Sequence, residues 1–141
     1  MSSDIYLMRH GEAELRASTD SKRQLTERGR LQVRNNLAKL PQNKPIALFH
    51  SPYVRALQSA EILQQSLQLS ALHCVSWLEP ETPVLDVVAE MLLLPPAETM
   101  LMVSHNPLLD ALVAELAAVP FGTFTFATGT MHRVHVDLVR R

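Results

Sequence analysis

One form of punctuation recurs along the chain. A short, unbroken apolar run stops at a polar junction that contains histidine, and a stretch with helical periodicity follows. Ile5–Met8 stops at Arg9-His10-Gly11, Ile46–Phe49 at His50-Ser51-Pro52, and Thr99–Val103 at Ser104-His105-Asn106-Pro107. Apolar runs without polar alternation are buried on both faces, as the strands of a parallel sheet are. Residues 12–24 are polar, lack periodicity and read as a loop. Thr26 is placed as an N-cap with Glu27 suited to the helix dipole, and Leu31, Val33, Leu37 and Leu40 carry the apolar side to Pro41. Ser51 as N-cap and Pro52 at the first helical position open a second helix, with Val54, Leu57, Ile62, Leu63 and Leu67 inward. Val84–Leu94 reads as a further helix, and so does the run through Leu108, Leu109, Leu112, Val113 and Leu116. Leu72–Val75 is read as a short third strand, and Phe121–Ala127 with Met131–Leu138 as a hairpin around Gly129 at the sheet edge. The alternation predicts a three-layer α/β/α sandwich, a mainly parallel central sheet with helices on both faces. In such sheets ligands bind outside the carboxyl ends of the strands.

Length and charge narrow the partners. At 141 residues and 15.8 kDa the whole span 1–141 suits a single domain with its own core. Thirteen Lys and Arg against 14 Asp and Glu leave a net charge of −1, so no overall field draws the chain to nucleic acid or to an anionic membrane. Any anion site must therefore be local. A lone cysteine, Cys74, excludes a disulfide framework and a multi-cysteine metal site, and in an apolar run it is expected to be buried. The first apolar run breaks after four residues without a basic leader, and no run approaches the roughly 20 residues that span a bilayer. A soluble protein in the reducing cytoplasm is the expectation.

The polar junctions suggest the chemistry. Arg9 and His10 leave the first strand, Ser51 the second, and His105 the strand at 99–103. Arg55 stands four residues beyond Ser51, and helical side chains lean toward their own N-terminus, so it reaches back over the strand ends. Two guanidiniums, two imidazoles and two helix N-termini then converge on one point. Helix N-termini favour anions, and guanidinium forks match phosphate oxygens in pairs. A phosphoryl group is the implied ligand. Each piece alone has a plainer account: Ser51-Pro52 as an ordinary helix start, Arg55 as a solvated residue, Asn106 as an N-cap. His50, His73, His132 and His135 lack such partners and read as structural or exposed. His132 and His135 lie three apart in a strand, on opposite faces, which argues against a shared metal.

Arg9-His10-Gly11 after a strand, Ser51-Pro52-Tyr53-Val54-Arg55-Ala56-Leu57-Gln58-Ser59, and Val103-Ser104-His105-Asn106-Pro107 resemble the histidine phosphatase superfamily, which is phosphoglycerate mutase-like in fold. Asp20–Gly29 is similar to the stretch after the nucleophile in its short members. Within it, the likeness is to the SixA-type phosphohistidine phosphatases, supported by the short length, by Leu78–Pro83 with Asp86, and by Phe124–Val136. The resemblance implies a metal-independent phosphatase without cofactor in which His10 is the nucleophile, transiently phosphorylated, while Arg9, Arg55 and His105 hold the phosphoryl oxygens. Gly11 and Asn106 are carried over as substrate contacts. Only Leu69–Pro83 separates the second helix from the next, so no helical cap insertion is expected and the site should be open. That suits a phosphorylated histidine-containing phosphotransfer domain as partner, with phosphate or an oxyanion analogue in the pocket and the enzyme a monomer. Pro80 stands where SixA-type relatives carry Glu, which leaves Glu79 and Glu81 as candidate proton donors, or as plain solvated carboxylates. An imidazole leaves more readily than an alkoxide, so a weak acid favours phosphohistidine. The alternatives are a phosphatase for small phosphate monoesters and a phosphohistidine-binding module of low turnover. Ser59 replaces an expected Thr and keeps the hydroxyl.

Overall fold

A computed structural model describes residues 2–138. Its strands are β1 (Ser2–Arg9), β2 (Ala47–His50), β3 (His73–Cys74), β4 (Thr99–Ser104) and β5 (Met131–Asp137). Its α-helices are α1 (Glu27–Arg34), α2 (Val54–Leu67), α3 (Val84–Leu92) and α4 (Leu108–Ala117). The sheet runs β3-β2-β4-β1-β5, with β5 antiparallel on β1 and every other pair parallel.

Alternation along the strands divides the core into two layers. Ile5 and Leu7 of β1 and Met100 and Met102 of β4 face Val87, Met91, Leu109 and Leu112 of α3 and α4. Tyr6, Met8, Leu101 and Val103 face Val33, Ala56, Ala60 and Leu63 of α1 and α2. Leu7 and Leu101 are wholly buried, and truncating such a residue to Ala costs about 2–5 kcal/mol. The three-layer α/β/α sandwich with helices on both faces is the architecture that the strand–helix alternation implies.

Several local readings change. Phe121–Ala127 forms no strand, so the edge hairpin does not exist: β5 pairs with β1 directly. The Phe126 side chain is buried, and its carbonyl accepts from Arg9 Nη1 (3.1 Å) and Asn106 Nδ2 (2.8 Å) instead of from a neighbouring strand. α1 ends at Arg34, and Leu37–Lys39 form a separate 3-10 turn. The break follows Asn36, whose side-chain amide donates to the Gly129 carbonyl at 2.6 Å. Leu31 is exposed, whereas Val33 is buried. α2 begins at Val54 because Tyr53 is extended; Ser51 Oγ accepts from the Tyr53 N–H at 3.2 Å, holding a turn rather than the helix end. Cys74 is exposed on the short edge strand, not buried. Among the described residues no helix is long and apolar enough to cross a membrane.

Candidate active site

Strand register brings the polar junctions level. Arg9 lies opposite Ser104 and His50 opposite Val103, and the ladder runs on past the strands. The His10 N–H donates to the Ser104 carbonyl and the Ser51 N–H to the Val103 carbonyl, both at 3.1 Å. His10, Ser51 and His105 therefore leave the sheet from adjoining strand ends. The rings of His10 and His105 stand 5.1 Å apart, and both residues are buried.

Hydrogen bonds fix each ring. His10 Nδ1 lies 2.7 Å from the Gly11 carbonyl, which can only accept, so Nδ1 carries the proton. His10 Nε2 is left with its lone pair, and Arg55 Nε donates to it at 3.2 Å. Arg55 reaches back from the first turn of α2, its side chain buried, with its guanidinium 5.0 Å from the centre of the Tyr53 ring. His105 Nε2 lies 2.7 Å from Ser51 Oγ, and the Tyr53 ring meets the His105 ring edge-on at 5.0 Å. Two buried polar atoms in this group, Arg9 Nε and His105 Nδ1, have no hydrogen-bond partner among the described residues. Buried polar groups without partners are rare in folded proteins and mark places where a ligand completes the network.

The electrostatics keep both imidazoles neutral. Burial pushes the His10 pKa down to about 4, the hydrogen bond to the Gly11 carbonyl opposes it, and the charges of Arg55, Arg9 and Arg23 add smaller downward pushes. Burial likewise lowers His105, to about 2, assisted by His10 and Arg55 and opposed by Asp20. A neutral imidazole with its lone pair on Nε2 is a nucleophile over the whole physiological range. Burial lowers the Arg9 pKa from its ordinary value, Asp110 at the start of α4 opposes that shift, and the guanidinium keeps its charge.

The remaining sequence candidates separate. The Gly11 N–H donates to Ser59 Oγ at 3.1 Å, and a Cβ on Gly11 would run into the backbone of Gly29. Asn106 is engaged at both ends of its amide, donating to the Phe126 carbonyl and accepting from the Asp110 N–H at 3.3 Å. Both residues are thus tied into the scaffold around the site. Glu79 is half-buried directly after Leu78, whose carbonyl accepts from Ser104 Oγ at 2.7 Å; Glu81 lies two residues further on, exposed. Three contributors escaped the sequence reading: Tyr53, Asp20 and Arg23. Asp20 accepts from Arg55 Nη2 (3.2 Å) and Arg23 Nη1 (2.9 Å), an i,i+3 pair in a loop where periodicity gives no signal. Among the described residues no group of three or more His, Cys, Asp and Glu is arranged to hold a metal ion. A concavity of about 800 Å³ lies at the opposite ends of the strands, around Lys44, Ile46, His73 and Thr99, and among the described residues gathers no arginine.

Comparisons with known proteins bear on this arrangement. Residues 5–81 match the model of the histidine phosphatase superfamily (branch 1). A phosphohistidine phosphatase SixA homolog of Haemophilus influenzae (strain ATCC 51907 / DSM 11121 / KW20 / Rd) is 34% identical over 126 residues, covering 80% of this chain and 76% of the relative. The structure of the protein histidine phosphatase SixA complexed with tungstate superposes with a TM-score of 0.74 at 28% identity, over 97% of this chain and 98% of that one. The alpha-ribazole phosphatase from Shigella flexneri shares the fold, with a TM-score of 0.75 at 19% identity over 92% and 89% of the two chains. The chain belongs to the histidine phosphatase superfamily.

Proposed function

We propose that this histidine phosphatase removes the phosphoryl group from phosphohistidine on a histidine-containing phosphotransfer domain, through a phosphohistidine formed on its own His10. The observation that carries the reading is the orientation of His10. Its Nδ1 proton is tied to the Gly11 carbonyl, and its Nε2 lone pair points into a group formed by Arg55, His105 and Arg9. Likeness to SixA proteins, one of them in complex with tungstate, supports a phosphoryl ligand here and favours phosphohistidine as substrate.

The steps follow from the atoms present. Arg9, Arg55 and His105 bind the phosphoryl oxygens and stabilise charge in the transition state. His10 Nε2 forms a bond to phosphorus as the P–N bond to the substrate imidazole breaks, and the leaving nitrogen takes up a proton. Glu79, half-buried next to Leu78, is assigned as the donor in preference to exposed Glu81. Water then attacks phosphorus and returns a proton to the donor carboxylate, the P–Nε2 bond breaks, phosphate leaves, and His10 is restored.

The test uses a phosphotransfer domain phosphorylated on histidine. Wild-type protein releases phosphate and, sampled after brief exposure, carries an acid-labile phosphate on His10 by mass spectrometry. His10→Ala does neither, with a rate lower by at least roughly a thousandfold. Full turnover by His10→Ala, or saturable turnover of small monoesters far above that of the phosphoprotein, would replace this reading.

A further inference from the structure

Every nitrogen of the Arg55 guanidinium already has a partner. Nε donates to His10 Nε2 (3.2 Å), Nη1 to the Asp20 carbonyl (2.8 Å) and Nη2 to Asp20 Oδ2 (3.2 Å). The other carboxylate oxygen of Asp20 accepts from Arg23 Nη1 at 2.9 Å. A carboxylate that bridges two guanidiniums occupies the edge a phosphoryl group would take, with the same kind of acceptor atom. Its charge is felt at the His105 ring, whose pKa Asp20 pulls upward against burial.

The two ends of this bridge differ in burial. The Arg55 side chain is 7% exposed and fixed on α2, whereas that of Asp20 is 59% exposed, on the single 3-10 turn Asp20–Lys22. Only the carboxylate is free to swing out. We infer that Asp20 is a placeholder anion, occupying Arg55 and Arg23 in the free protein and displaced by the arriving phosphoryl group, which then has Arg23 within reach as a further guanidinium. The inference rests on the reading of the strand ends as a phosphoryl site. Its consequence is selectivity. A tethered carboxylate acts at high effective concentration, so a singly charged anion exchanges poorly for it while a dianion replaces it.

Asp20→Asn separates this from a role in merely positioning Arg55. The amide keeps an acceptor and the backbone carbonyl of residue 20 for Arg55, and removes the charge. Calorimetric titration with tungstate is expected to show roughly tenfold tighter binding by Asp20→Asn than by wild type, with a lower KM, an unchanged melting temperature, and inhibition by formate that wild type resists. If wild type binds tungstate and Asp20→Asn binds it equally or more weakly, the placeholder is overturned and Asp20 is a positioning residue. If wild type and Arg55→Ala alike bind no tungstate, the phosphoryl-site reading falls and the placeholder falls with it.

Discussion

The strand ends and the loop of residues 12–24 meet over the same guanidinium but are held by opposite means. His10, Ser51, Ser59, Ser104 and His105 are at most 5% exposed, and most of their polar atoms are paired with one another or with backbone. In the loop, Glu14 through Asp20 are exposed, Leu15 at 92%, and the segment is held by the Ala13–Leu25 bridge and by Arg23. Buried polar atoms have one low-energy arrangement, because an alternative leaves them unpaired at about 1–3 kcal/mol each. Exposed ion pairs are worth at most about 1 kcal/mol and exchange freely with water and salt. The difference assigns direction to the platform and replaceable charge to the loop.

The seam between the two regions is the place to break the comparison hardest. A Cβ on Gly11 would strike the Gly29 carbonyl, and one on Gly29 the Glu12 carbonyl; these obstacles are backbone and cannot rotate aside. Neither glycine has a positive φ, so the demand is for space. Gly11→Ala is expected to lower stability by about 3 kcal/mol or more, read as the denaturation midpoint, and to displace His10 with it. A midpoint equal to wild type would mean that the platform does not depend on this contact.

Proton linkage separates the regions next. The unfolded chain protonates His10 near pH 6.5, the folded protein only near 4. Between those values the unfolded state binds more protons, so folding stability falls as pH drops through that window and is recovered as pH rises above 6.5. The His10 contribution is about 3 kcal/mol across the window, and His105 adds to it in the same direction. His10→Asn should flatten the stability-against-pH curve between pH 6.5 and 4, and a His10 resonance titrating near 6.5 in the folded protein would contradict the burial argument. Asp20 works with the same sign but in a more acidic window. Arg23 and Arg55 hold its carboxyl below the usual carboxylate range, so the small stability it adds is present at neutral pH and lost in strong acid.

The same division explains how much could be read from the sequence. The sheet, both layers and the meeting of His10, Arg55 and His105 follow from apolar runs that end in polar residues, because burial periodicity fixes register and register fixes neighbours. Asp20, Arg23 and Tyr53 were not legible. Their placement depends on the path of a loop without periodicity and on Tyr53 being extended before α2, neither of which hydrophobic patterning encodes. Phe121–Ala127 failed for a related reason. Alternating aromatics suggest a strand, but side chains from distant elements capture the Phe126 carbonyl. Backbone captured by side chains from distant elements leaves no local mark.

Ser51 offers the finest discrimination, because it is wholly buried and touches the chemistry only through another residue. Its hydroxyl takes the Tyr53 N–H on one side and meets His105 Nε2 on the other. Removing it in Ser51→Ala leaves the His105 ring held only by packing against Tyr53 and His10. The loss of one such buried hydrogen bond, about 1–3 kcal/mol, corresponds to roughly a tenfold to hundredfold fall in kcat/KM and in tungstate affinity. The sign is opposite to that expected for Asp20→Asn, although both residues contact the site through a single side chain. If Ser51→Ala kept wild-type affinity, the buried network would not be what orients His105, and the contrast between a directing platform and a yielding loop would reduce to packing.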